Sequence, residues 1–212
     1  MNYLAHLYFA QPTPNSHFGN LLGDFGGKIH TQQLPTAVKQ GLDNHYLVDR
    51  FTDNHIAVKQ AKHFFSIQRR RFAGIALDVL FDHFLIRHWS NFHKTPLSLF
   101  KQSSYALLNE NLAYMPSRMQ QVVTLMTQND WFKEYETIEG LGATLDNIAK
   151  RIRFANQFSG SIEDINRNYA KLETVFLTFF PELIEHVSIN KLETKSIIKL
   201  PKTTIENTPP LG

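Results

Sequence analysis

Apolar residues recur three or four positions apart along most of this chain, the period of helices that bury one face. The pattern predicts a short helix over 15–25 (NSHFGNLLGDF), stopped by Gly26-Gly27. Pro35 opens the next helix, which runs through GLDNHYLVDRFTD towards His55. Residues 56–71 follow with the same period. Residues 73–89 form the most apolar helix: Ala76, Leu77, Leu80, Phe81, Phe84 and Leu85 cover much of its circumference, which marks a central helix. Thr95-Pro96 ends a loop before a helix over 97–114, and Met115-Pro116-Ser117 breaks it ahead of 117–127. Gly140 and Gly142 are expected to flank a short turn. Helices over 143–158 and 161–180 come next, and Pro181 is expected to open a last short one. No stretch alternates with a period of two, and there is no internal repeat. The expected fold is all-α, a single domain of about eight or nine helices over 1–190. The tail, 191–212, is polar, holds three prolines and ends TPPLG, so it is expected to be disordered, with Ser196-Ile197-Ile198 its one weak docking segment.

Composition narrows the chemistry. A chain of 212 residues is long enough for one sizeable core. It has no cysteine, which excludes disulfides, thiolate metal sites and cysteine nucleophiles. The opening MNYLAHLYFAQP lacks a basic segment and is interrupted by His6, so it does not read as a signal peptide. No run approaches the roughly 18 apolar residues of a membrane span. The expected location is the cytoplasm.

The net charge of +3 is unevenly placed. Residues 54–109 carry eight Lys/Arg against two acids, a local +6, whereas 110–190 carry seven against eleven, a local −4. Such a basic stretch suits an acidic partner. The plainer reading is a solvated face balanced by the acidic C-terminal half. Arg69-Arg70-Arg71 likewise reads either as solvated surface or as guanidinium forks for an oxyanion. There is no recognised nucleic-acid module, and neither nucleic acid nor membrane is expected as a partner.

The first 88 positions concentrate His6, Asp24, His45, Asp49, Asp53, Asp78, Asp82, His83 and His88. Several lie in apolar stretches, where an unpaired carboxylate is costly. His45, Asp49 and Asp53 are four apart, so they span roughly 80° of one helix face. Asp78 and Asp82 repeat the spacing on the central helix, with His83 adjacent, and Asn20 and Asp24 repeat it on the first. Three helices bringing such nitrogen and oxygen donors together suit Mn²⁺, Mg²⁺, Fe²⁺ or Zn²⁺. Read singly, each of these residues is more simply a cap or a surface charge. Asp53 or Thr52 suits a helix cap, and Asp43, His17, His30, His55, His63 and His93 belong to that plainer class. The aromatic run YAKLETVFLTFF (169–180) reads as core packing, or as the wall of an apolar slot.

The segments MNYLAHL, GNLLGDF (19–25), GLDNHYLVDRFTD (41–53), RRFAGIALDVLFDHFL followed by RHW (70–89), and YAKLETVF leading to FFP (169–181) resemble the bacterial acyl carrier protein phosphodiesterases. The resemblance runs over about residues 1–187 and excludes the tail. It implies a helical fold distantly akin to the HD-type metal phosphohydrolases. It also implies hydrolysis of the phosphodiester between 4′-phosphopantetheine and a serine of holo-acyl carrier protein, in fatty-acid metabolism, with Mn²⁺ the favoured metal. Carried over by position, it implies a metal set of His6, Asp24, His45, Asp82 and His83, with Asp49 a further ligand. Asp24, His45 and Asp82 would take part in catalysis, and Asn20, Asp53 and Asp78 would support the ligands. Arg70 and Arg71 match a basic pair expected to hold the phosphate or the acidic carrier protein. The chain departs from the pattern at Tyr46, where relatives often carry Arg, and at Asp43, where they often carry His; Lys28 and Arg50 are the cations available to compensate. Two other classes fit the residues alone: an HD-like phosphohydrolase of nucleotides or other small phosphoesters, and a non-catalytic helical binder of an acidic partner. The oligomeric state is left open.

Overall fold

Helix α5 (Ala73–Arg87) carries the apolar run predicted to be central, and it is buried on nearly every side. Ala76, Leu77, Leu80, Phe81, Phe84 and Leu85 are each at most 1% exposed. The computed structural model describes residues 1–26, 33–154 and 156–193. Among these it has eleven α-helices and no strand. Besides α5 they are α1 (Tyr3–Phe9), α2 (Pro14–Leu22), α3 (Thr36–Asn54), α4 (Ile56–Ala61), α6 (Trp89–Phe92), α7 (Leu97–Glu110), α8 (Ser117–Gln128), α9 (Trp131–Glu134), α10 (Ile138–Arg151) and α11 (Ser161–Asn190). The all-α expectation holds, with more and shorter elements than the eight or nine expected. No helix among the described residues is long and apolar enough to cross a membrane. Lys28, His30 and the expected disordered tail from 194 onward lie outside the described residues.

The local chemistry of the ends explains most elements. Thr13 caps α2 by accepting from Ser16 N, and Pro14 supplies its first turn. α3 follows Pro35 and runs through Thr52 and Asp53, so neither caps α4; Thr52 Oγ1 instead donates to Val48 O within α3. α2 and α3 pack face to face. A Cβ on Gly19 would sit 2.9 Å from Gly41 Cα, so only glycine permits this approach.

Three expectations are corrected. Gly140 and Gly142 do not flank a turn: α10 runs through both, because Thr137 caps it by accepting from Gly140 N at 3.1 Å. That cap and the burial of Leu141 and Leu145 outweigh the roughly 0.5–1 kcal/mol cost of each helical glycine. The helix then stops at Arg151 rather than 158. Pro181 does not open a new helix: α11 continues through it to Asn190. Phe176, Phe179, Phe180 and Leu183 form one fully buried stripe across the proline, while Pro181 itself faces solvent. The carbonyl left without its helical partner can there bond to water. α11 instead bends at Asn168 (φ −119°, ψ 15°), whose side chain donates to Phe64 O and Asp164 O, both at 3.0 Å. Finally, 56–71 is not one helix but α4 followed by two 3₁₀ turns.

The aromatic run on α11 is core packing. Phe176 and Phe180 stack at 4.9 Å and meet Phe81, Phe84 and Phe92. Much of the basic middle segment is tied to the acidic C-terminal half. Arg69 meets Glu163 at 3.2 Å, Arg87 meets Glu173 at 3.0 Å, and Lys101 meets Asp130 at 2.8 Å. The solvated-face reading accounts for these three. Lys59, Lys62, Arg70, Arg71 and Lys94 make no ion pair among the described residues.

Candidate metal centre

α3 sets His45 and Asp49 one turn apart on its inner face, with His45 Nε2 3.1 Å from Asp49 Oδ2. α1 brings in His6, whose Nε2 lies 3.3 Å from Asp49 Oδ1. Each carboxylate oxygen therefore faces one imidazole. The rings stack with centroids 3.9 Å apart. One donor atom from each of the three residues lies within 4.8 Å of the others.

One member of the donor set, His6, is unsatisfied as it stands. His45 Nδ1 bonds to Asn20 O at 2.8 Å, so Nδ1 carries the proton and Nε2 offers Asp49 a lone pair unless it is protonated. Burial lowers the pKa of His45, but Asp49 and Asp24 outweigh it and the net shift is upward. His6 is fully buried, and neither ring nitrogen has a hydrogen-bond partner. Burial, reinforced by His45, pushes its pKa down to about 3, so the ring is neutral. Buried polar atoms are almost always paired. Two imidazole lone pairs converging on one carboxylate are the donors that a borderline divalent cation takes. The residues present fit such an ion.

The surroundings hold this arrangement. The Met1 ammonium is buried, 3.2 Å from Asp49 Oδ1 and 3.0 Å from Asp78 Oδ1. Burial opposes its charge, yet the two carboxylates raise its pKa to about 11. Burial would likewise raise Asp49, but His45, His6 and that ammonium hold it well below the usual carboxylate range. Asp24 lies in the 3₁₀ turn Gly23–Phe25, just after α2. Its side chain reaches solvent, while the surrounding protein and the charges of Asp49 and Asp78 push it up to about 6 against the pull of His45. Burial also raises Asp78.

Asp82 and His83 do not join the cluster. Both oxygens of Asp82 are spent on α1, accepting from Leu4 N at 2.9 Å and Ala5 N at 3.0 Å. Asn2, at the cap position, makes no cap bond, so Asp82 caps the helix from 78 residues away. Burial raises its pKa to about 7 despite those two donors. His83, the next residue on α5, points about 100° around the helix. Its Nδ1 pairs with Tyr135 O and its Nε2 with Tyr169 Oη, both at 2.7 Å. His88 is engaged by Glu173 at 2.8 Å. Asp53 is exposed. Arg70 and Arg71 are exposed and do not touch the cluster; Arg71 stacks on Phe154 at 4.9 Å and Phe72 at 5.5 Å. Tyr46 is 44% exposed and meets the His45 ring edge-on at 5.5 Å.

Asn20, expected to support the ligands, does so here, and Gly23 and Asn44, which were not in the expected set, complete the site. Asn20 acts through its backbone carbonyl, while its side chain accepts from Asn44 at 2.9 Å and donates to Glu193 at 2.6 Å. Gly23 sits against the His45 ring, where a Cβ would overlap Cδ2 and Nε2. Gly23→Ala is therefore expected to displace His45, at a cost of about 1–3 kcal/mol from overpacking. A Mn²⁺ titration of the variant should give an affinity lowered by about tenfold or more; wild-type affinity would show that the ring position is immaterial.

The fold and the cluster define an all-α protein with a buried His–His–Asp set suited to a divalent metal. The comparisons give the family. The acyl carrier protein phosphodiesterase family model matches residues 1–183, and the chain belongs to that family of hydrolases. An acyl carrier protein phosphodiesterase of Serratia proteamaculans is 36% identical over 194 residues, 91% of this chain and all of that protein. One of Photorhabdus laumondii is 33% identical over 203 residues, 95% of this chain and all of that protein. One of Yersinia pestis is 34% identical over 185 residues, 87% of this chain and 96% of that protein. No solved structure matches the chain, so the expected kinship with HD-type phosphohydrolases has no structural counterpart to rest on.

Proposed function

We propose that the protein hydrolyses the phosphodiester between 4′-phosphopantetheine and the serine of holo-acyl carrier protein, using a divalent metal, with Mn²⁺ favoured. The observation that carries this reading is the His6–His45–Asp49 cluster, in which the buried His6 has no hydrogen-bond partner on either ring nitrogen. The relatives' shared name supplies the substrate. When bound, the ion polarises the phosphoryl group and makes water more acidic.

The chain's own residues do the rest. Asp49, His6 and His45 would hold the ion. Asn20 O fixes the His45 tautomer so that Nε2 is free to ligate. Asp24, reachable from solvent and with a pKa of about 6, takes the proton of the attacking water on a carboxylate oxygen. The water oxygen bonds to phosphorus, the bond from phosphorus to the serine oxygen breaks, and that oxygen takes the proton back from Asp24, which returns to its carboxylate form. The products are apo-acyl carrier protein and 4′-phosphopantetheine. Asp82 acts as a positioning residue, by anchoring the helix that carries His6. The absence of cysteine fits a reducing cytoplasm.

Incubation with holo-acyl carrier protein and Mn²⁺, followed by mass spectrometry, tests the reading. The expected result is loss of the phosphopantetheine mass, blocked by a chelator. An intact holo-carrier, with nucleotides hydrolysed instead, would replace it with a small-phosphoester hydrolase. The exposed Arg70 and Arg71 suit docking of an acidic carrier. Reversing both to Glu is expected to raise the apparent KM at low salt and leave metal content unchanged. An unchanged KM would remove them from the docking surface.

A further inference from the structure

A cleft of about 270 Å³ opens beside the first turn of α1. Asn2 and Tyr3 form one wall, and Trp131 and Tyr135, from α9 and the residue after it, form another. The third wall is a single stripe of α10: Thr144, Asn147, Ile148 and Arg151, spaced as i, i+3, i+4 and i+7. The core takes the neighbouring stripe, Leu141, Leu145 and Ala149, about 100° around the helix, so this one is left to face whatever enters. The cleft is slightly smaller than the roughly 300–1,000 Å³ of most small-molecule sites, which suits a slender ligand. Its lining is mixed in character. It combines three aromatic side chains and Ile148 with two side-chain amides, a hydroxyl, the Glu134 carboxylate and the Arg151 guanidinium.

The cleft adjoins the metal centre through α1. Asn2 follows Met1, whose amino group lies 3.2 Å from Asp49 Oδ1. The Tyr3 ring stacks on Phe25, the neighbour of Asp24, at 6.2 Å and 5°. Tyr3 and His6 lie on the same short helix, so α1 supplies both a wall of the cleft and a residue of the cluster.

We propose that this cleft holds the pantetheine arm while the substrate's phosphate lies at the His6–His45–Asp49 cluster. The assignment rests on the reaction proposed above. A pantetheine arm is a thin chain with two amides, one hydroxyl and apolar methyl and methylene groups. Asn2, Thr144 and Asn147 offer the amides and the hydroxyl their partners. Tyr3, Trp131 and Tyr135 offer the apolar segments their surface. The carrier's serine, on the other ester oxygen, then stays outside with the carrier protein.

Trp131 is one of only two tryptophans, and it lies in the cleft wall, so its fluorescence reports occupancy. Adding 4′-phosphopantetheine to the Mn²⁺-loaded protein is expected to change the emission, and Trp131→Phe is expected to remove that change. Asn147 is exposed on α10, so Asn147→Phe fills the cleft without disturbing the core. It is expected to weaken 4′-phosphopantetheine binding by about tenfold, equivalent to about 1.4 kcal/mol. The KM for holo-acyl carrier protein is expected to rise by a similar factor, with Mn²⁺ affinity as in the wild type. Binding and KM equal to wild type in Asn147→Phe, or binding that leaves Trp131 silent, would overturn the assignment. If the wild type binds 4′-phosphopantetheine at Trp131, and Asn147→Phe blocks it, yet no arm is released from the holo-carrier, the cleft assignment stands and the reaction falls.

Discussion

Asp49→Ala is expected to abolish metal uptake and turnover together while leaving the helical content intact. Asp49 is the one carboxylate that faces both buried imidazoles, and each of its oxygens serves a different ring. Without it, three nitrogens remain: neutral His6, His45 and the Met1 ammonium. The last is a cation beside the position an ion would take. Asp78 is engaged by that ammonium and Asp82 by α1, which leaves Asp24 as the only nearby acid among the described residues, and it faces neither imidazole within ion-pair distance. A fall in turnover of about 10³-fold or more corresponds to about 4 kcal/mol of lost transition-state stabilisation. Stability should change little, since the Asp49 side chain is 35% exposed and its ion pairs are partly screened. Metal analysis after dialysis, circular dichroism and the carrier-release assay on one preparation check all three. A variant that still binds Mn²⁺ and turns over would remove Asp49 from the centre.

The second large effect is structural in origin. Asp82→Ala removes the acceptor for Leu4 N and Ala5 N, both buried at the start of α1. Leaving a buried donor unpaired costs about 1–3 kcal/mol. Two such losses, at about 2–4 °C per kcal/mol for a chain of this size, lower Tm by roughly 5–20 °C. Asp82→Asn retains one acceptor oxygen and should fall between the wild type and the alanine variant. Because α1 carries His6, the alanine variant should also bind Mn²⁺ more weakly at temperatures where it is still folded. Differential scanning calorimetry with and without Mn²⁺ separates the two effects. A wild-type Tm would mean that α1 does not depend on this cap, and a lower Tm with unchanged Mn²⁺ affinity would mean that the helix does not position His6.

Both variants mark what could be read from the sequence. α3 was legible from Pro35 at its start and the run that follows, and α5 from an apolar stretch long enough to cover most of a helix's circumference. The pairing of His45 with Asp49 was legible because four residues is one turn of a helix. α1 was not, because it is short and its cap comes from Asp82, on another helix. That contact also separates Asp82 from the cluster, although its spacing from Asp78 matches that of His45 and Asp49. Spacing along one helix fixes a face but not the neighbour that the face meets. His83 shows the same limit: adjacent to Asp82 in sequence, it turns to Tyr135 and Tyr169. Asn20 was expected to support the ligands, but that it does so through its backbone carbonyl, and that Gly23 makes room for the His45 ring, depends on how α2 lies across α3, for which the sequence holds no local signal. Pro181 misled for a different reason, since a proline on the exposed side of a helix whose other side is fully buried need not end it.

The most direct test of the metal centre is a crystal of the Mn²⁺-soaked protein measured at the manganese absorption edge. The expected result is one strong anomalous peak between His6 Nε2, His45 Nε2 and the Asp49 carboxylate, lost in Asp49→Ala. A protein with full Mn²⁺-dependent activity whose peak lies elsewhere, or which shows none, would contradict the assignment of these three residues.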